Sequence, residues 1–213
     1  MSRGQGGARR LLLDLTLGLA LGLLLSGARA ETGPVETAAR NYYQLILGSA
    51  SFGLPEPALR KKLEGVLSRD LLTLLDQAAR MEQQCIRAAA KDEKPSVLEG
   101  NIFVGNYEGA TEVAYGQKRE MGHEASMEVD LVYLDTRYPR GHPYRALVWH
   151  ERLRLGRQEG QWRVVDVDFA DQNSLRKTLL SYLEEGRRDC ALPATPVSAA
   201  PATGKAAPAA RNR

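Results

Sequence analysis

The sequence lacks the short motifs that identify common enzyme classes. It contains no nucleophile elbow, no glycine-rich phosphate loop and no dinucleotide-binding fingerprint. Its three histidines, His123, His142 and His150, have no spacing typical of metal ligands. Neither of its two cysteines lies in a CxxC pair. We therefore predict neither a metal site nor a cofactor.

The central part of the chain also lacks an excess of positive charge. The formal charge of the whole chain is +3. Residues 1–30 carry four arginines against Asp14, and residues 191–213 carry three basic residues and no acid, so about −3 is left on residues 31–190. Because the arginines of this region are interspersed with acids, no basic stripe for nucleic acid is formed. We predict no nucleic-acid partner.

The apolar run near the start of the sequence is too short to span a bilayer. It covers Leu15 to Leu25, well below the ~20 residues that a membrane span needs. Arginines precede the run and Ala28-Arg29-Ala30 follows it, as in a secretory signal peptide. We predict a cleaved signal over residues 1–30, by the general or the twin-arginine route, and a periplasmic or secreted chain without a membrane span after cleavage. An uncleaved anchor is the alternative.

The remainder divides into one domain and a tail. Residues 191–213 are rich in alanine and proline, which predicts a disordered tail that cannot bury a core. Residues 31–190 have the length of a single domain. After export, Cys85 and Cys190 enter a compartment where a disulfide can persist. The sequence leaves open whether they are bonded or are two unpaired thiols.

The order of elements predicts an α+β domain, because helices come first, strands second and one helix last. Pro34 is expected to start the first helix, and Pro55 and Pro57 a short second one. Ser68 is a good N-cap for a third helix that runs to about Ala90. The predicted stripe of the third helix contains an acid and consists of Leu71, Leu75, Ala78, Glu82 and Cys85. The last helix is expected to begin at Asn173 or Ser174 and to end at Gly186.

Alternating segments after Pro95 predict an antiparallel sheet of which residues 144–157 and 161–169 form the last hairpin. A two-residue turn at Glu159-Gly160 would place Glu151 opposite Asp168, which is unfavourable. We therefore predict a three-residue turn at 158–160 with a glycine bulge. This register puts apolar side chains on one face and pairs opposite charges on the other. Its predicted pairs are Arg152 with Asp166 and His150 with Asp168.

Three sequence blocks resemble the nuclear transport factor two-like superfamily, the cystatin-like cone shared with ketosteroid isomerase-like proteins. They are "EGNIFVGNYEGATEVAYG" at 99–116, "WHERLRLGRQEGQWRVVDVDF" at 149–169 and "SLRKTLLSYL" at 174–183. Within the superfamily, the chain is similar to a group of exported bacterial domains, which often have an acid where Asn101 stands. The resemblance covers residues 34–186. It implies N-terminal helices on a curved antiparallel sheet, with a conical cavity between them.

Five residues are candidates for lining that cavity. A desolvated carboxyl at Glu151 would have a raised pKa suited to acid–base catalysis, and Glu82 could approach the same cavity. The alternative is that each carboxyl bonds a backbone amide or an arginine. Tyrosine hydroxyls could donate to an enolate, or could belong to the core. The cavity candidates are Tyr42, Glu82, Tyr133, Trp149 and Glu151, with Tyr43 as a further hydroxyl donor.

Two functions follow from these observations. The favoured hypothesis is a non-catalytic exported module that binds a small ligand or an exported protein, a class that includes inhibitors and immunity proteins. The alternative is an acid–base isomerase or hydrolase that uses Glu151, with or without Glu82. A homodimer formed through the sheet is compatible with either function.

Overall fold

Helices precede strands along the chain, and the fold is α+β with a C-terminal helix, as the sequence predicts. The computed structural model describes residues 33–49 and 52–190, so the predicted signal at 1–30 and the predicted tail at 191–213 lie outside the described residues. The described residues from Val35 onward belong to one unit. The elements are α1 (Pro34–Leu47), α2 (Pro57–Leu63), α3 (Arg69–Ala88), β1 (Glu112–Met121), β2 (Glu124–Leu134), β3 (Ala146–Gln158), β4 (Gln161–Asp168) and α4 (Leu175–Asp189).

The helices begin where local chemistry favours a start. Pro34 opens α1, and Glu36 lies in its first turn, where an acid interacts well with the helix dipole. Ser68 caps α3, because its hydroxyl accepts from the backbone N–H of Leu71 at 3.3 Å. On α1, the side chains at spacings of four, three and four residues are buried in the core, with Tyr43 beside them; they are Val35, Ala39, Tyr42 and Ile46. The sequence periodicity therefore predicts the buried side of these helices.

The strands form one antiparallel sheet in the order β1-β2-β3-β4. On β2, Met127, Val129 and Leu131 are buried against the helices, as alternation predicts. On β3, Glu151 and Leu153 share that inner face. Glu151 is therefore the inward-facing acid that the sequence predicts.

The predicted register of the last hairpin is wrong. Glu159 and Gly160 both have positive φ, 51° and 78°, and form a two-residue type I′ turn between Gln158 and Gln161. The register then shifts by one residue, since Leu155 pairs with Val164 but Arg154 pairs with Asp166. This bulge at Val165 brings Leu153 opposite Val167. The apolar face expected from a longer turn is thus produced by an extra residue in β4.

The bulge also overturns the predicted charge pairs. Arg152 donates to Glu128 at 2.7 Å and not to Asp166. His150 lies between Glu128 and Asp130 of β2, at 2.7 and 3.0 Å, and not beside Asp168. These two carboxylates raise the pKa of His150, Asp130 contributing most. The outer face of the sheet is therefore cross-linked by charges between β2 and β3.

Asp166 lies on β4, and its buried carboxylate is beside the first turn of α4. Its carboxylate accepts from the backbone N–H groups of Val167 and Arg176, both at 2.9 Å. Arg176 is the second residue of α4, where backbone N–H groups have no partner within the helix. Asp166 therefore adds a second anchor to the Ser174 N-cap, whose hydroxyl accepts from Lys177.

Replacing Asp166 should destabilise the domain through these two N–H groups. We expect Asp166→Ala to lower the free energy of unfolding by about 1–3 kcal/mol, because it leaves buried donors without an acceptor. The measurement is urea denaturation followed by circular dichroism. Asp168→Ala is the matched control, since the Asp168 carboxylate makes a 3.9 Å ion pair with Arg154 and a weaker charge interaction with Arg152. Its effect should stay within about 0.5 kcal/mol. Equal losses in both variants would contradict the anchoring role.

The last helix does not end at Gly186 as predicted but continues to Asp189. Gly186 instead marks a close approach of α4 to α3, because a Cβ there would lie 2.4 Å from the Cγ of Met81. Four residues later, Cys190 is bonded to Cys85 of α3. The two helices are thus joined by packing and by a disulfide.

Candidate functional site

The carboxyl group of Glu151 is the buried polar centre of the domain. Its side chain points from β3 toward the helices, and the residue is 1% exposed. Oε1 accepts from the backbone N–H of Gly105 at 2.5 Å and from the indole N–H of Trp149 at 2.7 Å. The hydroxyl of Tyr43 on α1 lies 3.5 Å from Oε2. One carboxyl therefore connects β3, α1 and the segment before β1.

Burial raises the pKa of Glu151 to about 7. The hydrogen bonds from Gly105, Trp149 and Tyr43 act in the opposite direction, but they do not compensate for the lost hydration. The carboxyl consequently titrates near neutral pH. This property is required of a general acid or base, but it also results from burial alone.

The tyrosines of α1 surround this carboxyl as part of the core. Tyr42 donates to the backbone carbonyl of Phe103 at 2.8 Å, and its ring meets that of Tyr43 edge to face at 5.0 Å. Both residues are fully buried, and burial, followed by the charge of Glu151, raises the pKa of each hydroxyl. The Tyr42 hydroxyl already has a protein acceptor, so it tethers the segment around Phe103 to α1.

Sequence reasoning missed the most important partner of Glu151. A Cβ at Gly105 would lie 3.2 Å from Oε1 of Glu151 and 3.0 Å from the Cβ of Phe169, so a side chain there would crowd both residues. Asn101, where the resembled group often has an acid, accepts from the N–H of Phe103 at 3.0 Å and shapes the turn that leads to Gly105. The glycine within "FVGNY" was the available signal, but its partner lies 46 residues further along the chain.

The other candidates do not assemble around Glu151. Glu82 accepts from the backbone of Leu98, and its pKa is raised by burial. Its charge acts on Tyr182, whose pKa burial raises to about 12. Among the described residues, Glu82 shares no hydrogen-bond partner with Glu151. Tyr133 is half-buried opposite Leu147. Of the other four cavity candidates, only Trp149 therefore bonds Glu151.

Two clefts of the described surface lie away from Glu151. The larger has a volume of about 970 Å³ and runs between α1 and α2, where its lining includes Gln44, Phe52 and Lys62. The smaller lies over the charged outer face of the sheet, between Arg119 and Asp168. None of the five cavity candidates lines either cleft. Within residues 33–49 and 52–190, no cluster of three or more potential ligands is placed to hold a metal ion.

An exposed aromatic cluster lies at the end of the β2–β3 hairpin. We call residues 135–145, which connect these strands, the hairpin tip. The rings of Tyr138 and His142 stack at 4.6 Å with an angle of 13°, and Tyr144 packs against both. Tyr144 is nevertheless 74% exposed. The composition of this segment, with two prolines and a glycine, indicates only a loop, because the contacts between its rings depend on how its backbone turns back.

The hairpin tip is held in shape by its own hydrogen bonds. Asp135 accepts from the side chain of Arg137 at 2.6 and 2.9 Å, and these bonds lower the pKa of Asp135. The backbone N–H of Asp135 donates to Arg145, and the guanidinium of Arg145 donates to the carbonyl of Tyr138. The aromatic rings are therefore presented on an ordered backbone, which reduces the conformational entropy lost on binding.

Comparison with known proteins identifies little beyond these observations. No protein-family model matches the chain, and no curated protein matches it. Among solved structures, the chain is similar to a chain of the native type VI effector–immunity complex Tae3–Tai3 from Ralstonia pickettii. The sequences are 14% identical, and the match covers 64% of this chain and 94% of that chain with a TM-score of 0.38. A similarity at this level carries no argument about fold or partner.

Proposed function

We propose that this chain is a non-catalytic, exported module that binds a protein partner, in the class that includes inhibitors and immunity proteins. The observation that supports the proposal is the hairpin tip, where Tyr138 and Tyr144 are ordered and yet exposed. Tyrosine is enriched at protein interfaces because one side chain combines apolar area with a polar end. Membership of the nuclear transport factor two-like superfamily and a periplasmic or secreted location are part of this proposal.

The contacts of Glu151 favour a structural role for the buried carboxyl. A general base must reach a substrate proton, yet Glu151 is 1% exposed and its oxygens are within reach of three protein donors. The donors come from three different parts of the fold, as expected of a group that fixes tertiary structure.

Among the described residues, no helix combines the length and apolar character needed to cross a membrane.

Acid–base catalysis is the second candidate function, and the pKa of about 7 at Glu151 favours it. It requires an opening beside the carboxyl large enough for a substrate. The expected signature is a turnover that is lost in Glu151→Gln, since this substitution keeps the shape of the side chain and removes the proton exchange.

Purification of the tagged chain from its own cells tests the proposed function. We expect one protein to co-purify at a fixed stoichiometry by native mass spectrometry. The Glu151→Gln variant is the matched control and should retain the same complex, because it changes the interior and leaves the hairpin tip unaltered. Repeated recovery of the empty protein would contradict partner binding, as would a turnover that depends on Glu151.

A further inference from the structure

The hairpin that ends in the tip is apolar on both faces. Leu147 and Val148 are consecutive residues of β3, so their side chains point to opposite faces of the sheet. They are 53% and 61% exposed, unlike Leu153 and Leu155 further along the strand, which are buried in the core. A flat partner could cover only one of these faces. A projection of this kind fits a concave surface that contacts both.

The tip also carries an excess of positive charge. Residues 135–145 contain three arginines and one aspartate, a formal charge of +2 with His142 neutral. Asp135 is bonded to Arg137, and the guanidinium of Arg145 donates to a neutral carbonyl. Arg140 has no hydrogen bond or ion pair with any described residue. Arg140 and Arg145 therefore form no salt bridge with a described carboxylate, although the charge of Arg145 also acts on Asp135.

We propose that the hairpin tip inserts into an acidic, concave surface of the partner protein. This inference rests on the proposed function and specifies the partner's chemistry. Arginine and tyrosine are the side chains that most often dominate binding energy at interfaces, and here the aromatic stack is already ordered. Acidic groups on the partner would complement Arg140 and Arg145 and speed association. Two arginines without salt bridges, beside apolar residues, do not form the extended basic array that a membrane surface or a nucleic acid would need.

Photo-cross-linking in the cells of origin tests the inference. A benzophenone amino acid replaces Tyr144 or, as the matched control, Met121, which is 76% exposed on the β1–β2 hairpin. We expect position 144 to form an adduct with one protein and position 121 to form none. Mass spectrometry of the cross-linked peptide should locate it on a surface rich in aspartate and glutamate.

Charge reversal at Arg140 tests the proposed electrostatic attraction between the hairpin tip and its partner. We expect Arg140→Glu to weaken the purified complex about tenfold and Arg140→Lys to preserve most of its affinity, with binding falling as salt increases. Both variants should keep the wild-type melting temperature, because Arg140 has no hydrogen bond or ion pair within residues 33–49 and 52–190. Binding unaffected by Arg140→Glu would overturn the inference.

The remaining outcomes separate this inference from the proposed function. An adduct at 144 with a second copy of the chain, a lipid or a nucleic acid overturns the inference. So does a protein complex whose adducts arise only at 121, although partner binding itself would then stand. If no protein complex forms at all, the proposed function fails and the inference fails with it.

Discussion

At pH 4.5, where the carboxyl is protonated, Glu151→Ala should lower the free energy of unfolding by about 3–5 kcal/mol. The substitution removes the acceptor of the Gly105 N–H and the Trp149 indole N–H, leaves a cavity, and takes away the partner of Tyr43. Urea denaturation followed by tryptophan fluorescence measures the loss. Glu151→Gln is the matched control, because its carbonyl oxygen can accept both N–H groups while its amide faces Tyr43. A loss below about 1 kcal/mol in Glu151→Ala would contradict the role of Glu151 as the polar centre of the fold.

The free energies of unfolding of the wild type and Glu151→Gln should diverge as the pH rises. The folded-state pKa of Glu151 is about 7, above its ordinary value of 4.5, so the fold favours the protonated acid. Its contribution to stability is fully present below pH 4.5 and is lost as the pH rises through 7. Between these two pH values, the free energy of unfolding of the wild type should fall by about 3 kcal/mol relative to that of Glu151→Gln. A constant difference between the two proteins from pH 4.5 to 8 would show that the carboxyl is hydrated.

Removal of the disulfide is the second large effect that we expect. Cys85 and Cys190 are 105 residues apart, and their bond closes the whole sheet and α4 into one loop. Since a loop of this length greatly restricts the unfolded chain, Cys85→Ala/Cys190→Ala should lower the free energy of unfolding by about 4 kcal/mol. Thermal and urea denaturation, with and without reductant, measure this difference.

The double variant also provides the control for reduction. Its stability should be the same with and without reductant, whereas the wild type should fall toward it once the bond is reduced. Because Gly186 packs closely on α3 through Met81, the two helices should remain associated in both cases. Equal stability of the oxidised and reduced wild type would contradict a contribution from the bond.

Sequence reasoning identified the features that depend on neighbouring residues. The burial of α1, the Ser68 cap of α3 and the inward direction of Glu151 all follow from spacing along one element. It failed at the last hairpin, because the turn has two residues and not the predicted three, and a bulge further along the strand sets the register. The bulge at Val165 displaced the predicted partners of Arg152 and His150, and Asp166 became a helix anchor. A bulge depends on how the whole strand packs, which its own sequence does not specify.

By itself, the sequence determined the α+β order of the described domain and which face of each helix and strand is apolar, because these properties repeat with the local period of the backbone. The tertiary structure decided what each polar group contacts. Two of the three donors to Glu151 come from residues 46 and 108 positions away, and a single glycine permits the closer contact. Likewise, Tyr138, His142 and Tyr144 form a cluster only because the loop turns back on itself. Local periodicity specifies the face to which each side chain points, but contact between distant residues arises only when the elements pack together.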